Sequence, residues 1–390
     1  MYHAHFMGTH YEAGFRWGSL LLRHKNNILT HIPFPITPER TAFALSCIPV
    51  YQTDYPEILE EIQGLADGQQ CDVRLLQTVL FSMYSMPPAC SCSCFAASDG
   101  GKVLLGRNSD FLTELEKLNL NVIYRLTGGA FAFTGNTTSF IQMEDGVNEY
   151  GLAAGLTSVY PHKIKPGFNA GLLLRYFLEK CRTVSEAVSW ARKLPIASAQ
   201  TITLADSTGD IAVIECSAEE VHIAGAFKGG AMDIADAHKG KSMDMTGTLK
   251  KKATHAADAF IAEPNDEKPA LDAESRFVCA TNAFHLPGMS GYNTLGIDDW
   301  SAEERYQTLT AALSRGNHIA SPAFARELLS GKHGFLCQYD RKTGRDTVWS
   351  VIYDLSGRKI YRSEGNPGRC AYKEDRRFFL RQRTKDGIIC

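Results

Sequence analysis

The chain has 390 residues, of which 44% are hydrophobic and 22% charged, and its formal net charge is −2 at pH 7. This composition is typical of a globular protein with a large core, and the balanced charge gives no electrostatic reason to expect nucleic acid or an anionic membrane as a partner. Because its eleven cysteines lack disulfide-framework spacing and the sequence has no signal-peptide or membrane-span pattern, we expect a reducing, cytoplasmic location.

Residues 1–91 are predicted to form a helical segment. Thr9 followed by Glu12 is a capping-box pattern, which predicts the start of a first helix. Pro56 is expected to open a second helix that Gly68 ends. Asp72 is a candidate N-cap for a third helix.

A β-hairpin is predicted next. Cys92 begins a run of Cys, Phe and small residues that is typical of a strand, residues 99–102 have the Asp-Gly-Gly-Lys composition of a turn, and residues 103–108 return as a second strand. We expect the hairpin to bring Arg107 and Asp110 alongside Cys92. A thiol beside a fixed cation is partly ionised near neutral pH, and the thiolate is the nucleophile.

Cys90, Cys92 and Cys94 allow four interpretations. Cysteine often serves as a small apolar residue in a buried strand. A zinc site is disfavoured because no second cluster of ligands accompanies the three thiols. A strand holds residues two apart about 7 Å from each other, near the limit for a disulfide. Spacing alone favours the buried strand, whereas the nearby Arg107 and Asp110 and the motifs downstream favour a catalytic cysteine.

The rest of the chain mixes strands and helices. One helix is predicted over residues 172–193, a hairpin over residues 201–215, and two further helices near residues 302–314 and 322–329. Residues 229–276 show little periodicity, which predicts a lid or an inserted surface loop.

Five motifs, in order along the chain, carry a family resemblance. In the first, Cys92 opens a Cys-Ser-x-x-Ala run, and Asn108 of a Gly-Arg-Asn-x-Asp run follows sixteen positions later. The others are residues 145–153 (DGVNEYGLA), 280–284 (ATNAF), 301–306 (SAEERY) and 347–354 (TVWSVIYD). Together they resemble the N-terminal nucleophile (Ntn) hydrolases, in the branch of choloylglycine hydrolases, penicillin V acylases and the autoproteolytic acyl-CoA:6-aminopenicillanic acid acyltransferase.

The resemblance implies an α+β fold, a four-layer αββα sandwich of antiparallel sheets, which the predicted order of strands and helices permits. Residues 1–91 would be a leader, removed or retained as a small chain after self-cleavage, and residues 92–390 the catalytic domain. The long leader favours the self-cleaving, acyltransferase-like branch over typical bile-salt hydrolases.

The resemblance also implies how Cys92 is activated. Cleavage of the Ser91–Cys92 bond by Cys92 itself would free an α-amino group, with a pKa of about 8, to act as the base for the thiol. Asp110 matches the family's catalytic aspartate and would orient this amine. Arg107 would lower the thiol pKa and balance Asp110; the alternative is a plain Arg107–Asp110 salt bridge.

Three further residues take roles from the resemblance. Asn282 matches the oxyanion-hole asparagine, with a loop asparagine as the alternative. Arg305 matches an arginine that supports the site through ion pairs, with a surface helix residue as the alternative. Thr157 occupies a substrate-binding position where choloylglycine hydrolases carry an asparagine, so the second oxyanion donor is left unassigned.

We therefore predict a cysteine-nucleophile hydrolase of linear, non-peptide amide C–N bonds in N-acyl amides, activated by autoproteolysis and needing no cofactor and no metal. The self-cleaved chains are expected to stay associated, and homo-oligomerisation is left open. One alternative is an acyl-CoA-dependent N-acyltransferase on the same fold. The other is a non-enzymatic metal-binding or redox protein that uses the three cysteines.

Overall fold

The computed structural model describes residues 1–32, 34–86, 91–228 and 276–378. Within these ranges fourteen strands form two sheets. The larger sheet has, in spatial order, β1 (Tyr2–Gly8), β4 (Leu120–Leu126), β5 (Phe133–Thr137), β6 (Asp145–Asn148), β7 (Leu152–Ser158), β8 (Gln200–Asp206), β9 (Ile211–Cys216) and β10 (Val221–Ala226). Strand β1 runs parallel to β4, and the other neighbours are antiparallel.

The smaller sheet is antiparallel throughout its described strands. Its spatial order is β11 (Phe277–Ala280), β2 (Ser91–Asp99), β3 (Lys102–Leu112), β12 (Arg345–Asp354), β13 (Lys359–Ser363) and β14 (Lys373–Asp375). Strands β2 and β3 are interior strands of this sheet and contact β7 and β8 of the larger sheet face to face.

Helices cover the outer face of each sheet. The described residues contain α1 (His10–Arg23), α2 (Pro38–Asp54), α3 (Pro56–Gln69), α4 (Val73–Ser82), α5 (Ala170–Lys180), α6 (Val184–Ala191), α7 (Ala302–Arg315) and α8 (Pro322–Leu329). Helices α5 and α6 pack on the larger sheet, and α7 and α8 on the smaller one. The layers therefore run αββα, which confirms the predicted α+β fold class.

The β2–β3 hairpin forms where the sequence predicts it. Gly100 and Gly101 adopt positive φ angles of 57° and 75° at the turn, a conformation that glycine reaches without steric cost. The resulting register pairs Cys92 with Ser109 and Ser91 with Asp110. The turn thus fixes which residues of β3 lie beside the candidate nucleophile.

The N-terminal segment is helical, as predicted, but it also contributes a strand. Thr9 caps α1 with the complete capping box, and the Asp72 side chain caps α4. The structure adds β1 and α2, and the left-handed residue that ends α3 is Gln70 rather than Gly68. Buried residues of α1–α4 share one hydrophobic cluster with β4, β5 and α5, so residues 1–86 complete the core of the larger sheet.

Two further predictions concern a long helix and a lid. The helix expected over residues 172–193 is two helices, because the chain turns extended at Cys181 and Thr183 caps α6 through the backbone N–H of Glu186. Residues 229–275 of the predicted lid lie outside the described residues, so the lid stays a prediction. No helix of the described ranges combines the length and apolar character that crossing a bilayer requires.

Candidate active site

Cys92 is the second residue of β2, and its side chain points between the two sheets. It is 1% exposed. Cys94, two residues along on the same face, packs in the cluster between the sheets, as the alternation of strand side chains requires. The candidate nucleophile is therefore enclosed in the intact chain.

Arg107 spans from the thiol to the larger sheet. Its Nη2 donates to Cys92 Sγ at 2.8 Å, and its Nε donates to the Leu156 carbonyl at 2.9 Å. Its ion pairs are with Asp145 at 3.0 Å and Glu144 at 3.4 Å. The predicted Arg107–Asp110 pairing is wrong, because strand residues three apart point to opposite faces of the sheet.

The Cys92 thiol is protonated in the intact chain. Burial raises its pKa to about 12, against the opposing effect of Arg107, and Glu144 and Asp110 raise it further. In the uncut protein, burial thus outweighs the lowering of the thiol pKa by Arg107, on which the expectation of a partly ionised thiol depends. Burial destabilises the thiolate by removing it from water. This effect is larger than the stabilisation by Arg107, because that cation is itself paired with two carboxylates.

Asn282 follows β11 and binds the backbone of the nucleophile. Its Oδ1 accepts from the Cys92 backbone N–H at 2.8 Å and from Arg305 Nη2 at 2.9 Å, and its Nδ2 donates to the Ser158 carbonyl at 2.8 Å. Two of these partners only donate and one only accepts, so they fix the orientation of the amide. The amide has a second Nδ2 hydrogen, which makes it compatible with the predicted oxyanion role.

Arg305 lies on the first turn of α7 and is fully buried, so it is not a surface residue. Its Nη1 donates to the Cys92 carbonyl at 2.5 Å and to Ser93 Oγ at 3.0 Å. Its remaining donors bind the carbonyls of Asp299 and Trp300, both at 3.0 Å. The side chain thus ties the start of α7 to the strand that carries the nucleophile.

Asp110 faces α7 from the opposite side of the smaller sheet. Its carboxylate accepts from Thr347 Oγ1 at 2.6 Å and from Tyr339 OH at 3.1 Å, and lies 3.8 Å from Arg305 Nη1. Burial raises the pKa of Asp110 to about 6, although Arg305 and these hydroxyls lower it. Because Asp110 is opposite Ser91 in the register, it lies beside the predicted cleavage site and not beside the thiol.

Thr157 lies on β7 between the two carbonyls that anchor the site. The Leu156 carbonyl binds Arg107 and the Ser158 carbonyl binds Asn282. Thr157 Oγ1 is buried with no hydrogen-bond partner among the described residues, and the same holds for Thr201, its register partner on β8. Thr157 therefore presents an unused hydroxyl on the side of β7 where Arg107 and Asn282 attach.

The structure brings together Cys92, Arg107, Asn282 and Arg305. Asp110 lies on the other face of the smaller sheet, and Thr157 lies on β7 of the larger sheet. Five residues that bind or flank this group were not among the predicted site residues: Glu144, Ser109, Thr201, Tyr339 and Thr347. Two of them could have been found from the motifs, because Glu144 directly precedes the DGVNEYGLA motif and Ser109 lies inside the Gly-Arg-Asn-x-Asp motif.

Cys90 lies outside the described residues, and within the described ranges no group of His, Cys, Asp and Glu is arranged to hold a metal ion.

A family model matches this region of the chain. Residues 97–242 match the family described as acyl-coenzyme A:6-aminopenicillanic acid acyl-transferase. The match confirms the family resemblance predicted from the sequence. The matched residues include Arg107, Asp110, Glu144 and Thr157, whereas Cys92 precedes them by five positions and Asn282 and Arg305 follow them. No protein with a curated description matches the chain.

Solved structures give a weaker likeness. Penicillin V acylase from Agrobacterium tumefaciens has a TM-score of 0.38 at 15% identity, covering 70% of this chain and 83% of its own. A mutant of the conjugated bile acid hydrolase from Clostridium perfringens has a TM-score of 0.38 at 13% identity, covering 74% of this chain and 98% of its own. A second variant of that hydrolase has a TM-score of 0.36 at 12% identity, covering 75% of this chain and 99% of its own. The fold assignment accordingly depends on the chain's own two sheets and outer helices.

Proposed function

We propose that the protein is a cysteine-nucleophile hydrolase of N-acyl amides, cutting linear C–N bonds after activating itself by cleavage at Ser91–Cys92. One observation carries the proposal. The nitrogen, carbonyl oxygen and sulfur of Cys92 are each bound by a different buried side chain, from Asn282, Arg305 and Arg107 respectively. A residue whose backbone and thiol are both held in this way is suited to act as nucleophile and base together.

Scission at Ser91–Cys92 would turn the Cys92 amide into an amine. The amine takes the thiol proton, the sulfur attacks the acyl carbon, and the amine then protonates the leaving nitrogen. Water hydrolyses the resulting thioester. Asn282 would keep the amine in place through Oδ1 and supply an N–H to the tetrahedral oxygen, while Asp110, behind the strand, would orient the amine. Enclosure of Cys92 and its high thiol pKa in the uncut chain support such an activation step.

Acyl transfer is the second candidate, and the family match over residues 97–242 favours it. An amine acceptor would replace water at the thioester, with acyl-CoA as an acyl donor. Hydrolysis and transfer use the same side chains, so the nature of the acceptor has to be measured.

The proposal is tested by mass spectrometry and N-terminal sequencing of the purified protein. We expect chains of residues 1–91 and 92–390, and amine release from a panel of N-acyl amides, assayed with and without acyl-CoA and an acceptor amine. Cys92→Ala should stay uncut and inactive. Cys94→Ala is the matched control, since it removes the neighbouring thiol on the same face and should be cut normally. Intact, active wild-type chain would contradict the proposal.

The metal-binding or redox alternative predicts a different result. Stoichiometric zinc in the purified protein, lost in Cys90→Ser, would support it. The absence of a cofactor, the association of the cut chains and the cytoplasmic location remain predictions.

A further inference from the structure

Self-cleavage needs a proton acceptor that exists before the chain is cut. The α-amine of Cys92 is a product of the scission, and in the intact chain the same nitrogen is an amide that donates to Asn282. The thiol is protonated at that stage. Some other group must therefore take its proton when the sulfur attacks the Ser91 carbonyl.

Two of the nearby carboxylates are unsuited to this step. Asp110 is on the opposite face of the sheet from the thiol, where Thr347 and Tyr339 bind its oxygens. Asp145 is on the correct side but fully engaged. It accepts hydrogen bonds from four donors, which are Arg107 Nη1 at 3.0 Å, Trp349 Nε1 at 2.9 Å, Asn136 Nδ2 at 2.5 Å and Tyr353 OH at 2.7 Å.

Glu144 differs from both. It is 3% exposed. Its Oε1 is fixed by the backbone N–H of Thr138 at 2.9 Å and the Thr138 hydroxyl at 2.6 Å. Among the described residues, its Oε2 has two contacts, both long, to Ser109 Oγ at 3.3 Å and to Arg107 Nη2 at 3.4 Å. One oxygen thus holds the carboxylate in place while the other keeps capacity to accept a proton.

Ser109 connects this oxygen with the nucleophile. It is directly opposite Cys92 in the hairpin register, and directly opposite residues have their side chains on the same face with Cβ atoms about 5 Å apart. The Arg107 Nη2 that contacts Glu144 also donates to Cys92 Sγ. Cys92 and Glu144 therefore share one guanidinium nitrogen, and Ser109 donates to the same Glu144 oxygen.

We propose that Glu144 is the base of the self-cleavage step and accepts the Cys92 thiol proton through the Ser109 hydroxyl. This inference rests on the proposed function, because it assigns the base for the activating scission. Among the described residues, Arg107 of β3 contacts Glu144 and Cys92 of β2 interacts with it electrostatically, and Asp145 follows Glu144 in sequence at the start of β6.

The step balances without any added reactant. The thiol proton passes to Ser109 Oγ, whose own proton passes to Glu144 Oε2. The sulfur bonds to the Ser91 carbonyl carbon, the Ser91–Cys92 C–N bond breaks, and the Cys92 nitrogen takes up the proton as Glu144 returns to the carboxylate. Amide and thiol become thioester and amine. Water then hydrolyses the thioester, leaving a carboxylate on Ser91 and the free thiol on Cys92.

The test measures how fast the full-length chain cuts itself after synthesis in a cell-free system, by quenching samples and quantifying intact and cut chain at pH 7 to 10. Glu144→Gln is expected to slow cleavage about 10²-fold at pH 7. Its rate should rise about tenfold per pH unit, because solvent must then remove the proton, whereas the wild-type rate should change little. Ser109→Ala should show the same steep pH dependence, and Glu144→Asp should recover part of the rate.

Glu149→Gln is the matched control. Glu149 lies inside the DGVNEYGLA motif that Glu144 directly precedes, its carboxylate accepts from the Ala132 backbone N–H at 3.0 Å, and the variant should cut at the wild-type rate. If the wild-type chain cleaves itself and Glu144→Gln does so at the same rate, the base assignment is overturned and the proposed function stands. If the wild type never cleaves, both are overturned. A slow Glu144→Gln chain with the wild-type pH profile and no recovery in Glu144→Asp would mean a structural role and would also overturn the assignment.

Discussion

Arg305 shows how a single buried cation can organise a nucleophile. Its three nitrogens bind the Cys92 carbonyl, Ser93 Oγ and the Asn282 amide oxygen on one side, and two carbonyls at the start of α7 on the other. A guanidinium provides five donors in a fixed plane, which an ammonium does not. The identity of this side chain, and not only its charge, is therefore expected to matter.

Replacing Arg305 by Lys should lower both the self-cleavage rate and the turnover of the cut enzyme about 10²-fold. The change keeps the charge but leaves Asn282 and the Cys92 carbonyl without their planar partner, and loss of one well-placed donor has effects of this size. Arg315→Lys, at the exposed end of the same helix, is the control and should behave as wild type. Rates of Arg305→Lys within threefold of wild type would contradict this role.

Asp110 gives a pH-dependent prediction for stability. Its pKa is about 6 in the folded chain because of burial, against about 3.9 in an unfolded one. Between these values the folded state holds a proton that the unfolded state releases, so the free energy of unfolding falls as pH rises from 4 to 6 and then levels. The loss from this residue alone is about 3 kcal/mol, at 1.36 kcal/mol per pKa unit.

Asp110→Asn should remove this slope. Both proteins are compared in a Cys92→Ala background, which keeps every chain uncut, and urea unfolding is measured at half-unit intervals from pH 4 to 8. The difference between the two unfolding free energies should change between pH 4 and 6 and stay constant above. Parallel curves across the whole range would mean that Asp110 does not titrate as proposed.

At the residue scale, the sequence predicted which residues belong to the site better than it predicted which of them contact each other. The motifs and the glycine turn were enough to bring Cys92 beside Arg107. The separation of Arg107 from Asp110 follows from strand alternation over three residues and was open to prediction. The convergence of Glu144 with Ser109 was not, because it depends on how the two sheets face each other. Burial of the thiol likewise depends on both sheets, so one neighbouring cation in the sequence does not determine its pKa.

At the level of elements, the N-terminal helices pack with their backbones in contact. Gly14 and Gly18 of α1 lie against α3, and Gly64 and Gly68 of α3 lie against α1. A Cβ on Gly64 would collide with the Tyr11 carbonyl oxygen. Small residues four apart form one stripe on each helix and allow this approach. The stripe was visible in the sequence, although only the folded structure shows that the two stripes meet.

Gly64→Ala should therefore destabilise the protein although alanine favours helix. The new methyl group meets backbone, which cannot move aside, and overpacking of this kind costs about 1–3 kcal/mol, more than the ~1 kcal/mol gained in helix propensity. Urea unfolding measures the change. Gly291→Ala, where an added Cβ meets no described atom within 4 Å, is the control. A Gly64→Ala protein as stable as this control would contradict the close packing.

Element boundaries illustrate the limits of sequence patterns. The break between α5 and α6 had a signal, since Thr183 and Glu186 have N-cap spacing, but the apolar pattern on both sides concealed it. Helix α2 contains Pro49 in its interior, and a proline there normally argues against a helix. Helices α5 and α6 pack on the larger sheet, and α2 packs on α3 and α4. Tertiary packing of this kind overrides local propensity, and a local pattern does not contain it.

In the whole molecule, a buried ionic cluster joins residues 1–91 to the rest of the chain. Arg175 binds Glu61 at 2.5 Å and Glu179 at 2.9 Å, and Glu179 also contacts His10 at 3.0 Å and Tyr55 at 2.6 Å. Burial would raise the pKa of Glu179, but Arg175, His10 and Tyr55 together lower it to about 2. His10, Tyr55 and Glu61 belong to the N-terminal segment, so the cluster links the two predicted cleavage products.

We expect the two chains to stay together after cleavage because of this cluster and the shared core. They should co-elute in gel filtration even in about 1 M NaCl, since salt screens buried pairs much less than exposed ones. Arg175→Met should release the N-terminal chain, because two buried carboxylates lose their cation at a cost of about 3–5 kcal/mol. Lys180→Met removes a partly exposed pair with Glu57 that also joins the two segments, worth only about 0–1 kcal/mol, and should leave the complex intact. Separation of the wild-type chains in native buffer, or equal behaviour of the two variants, would contradict the role of the cluster.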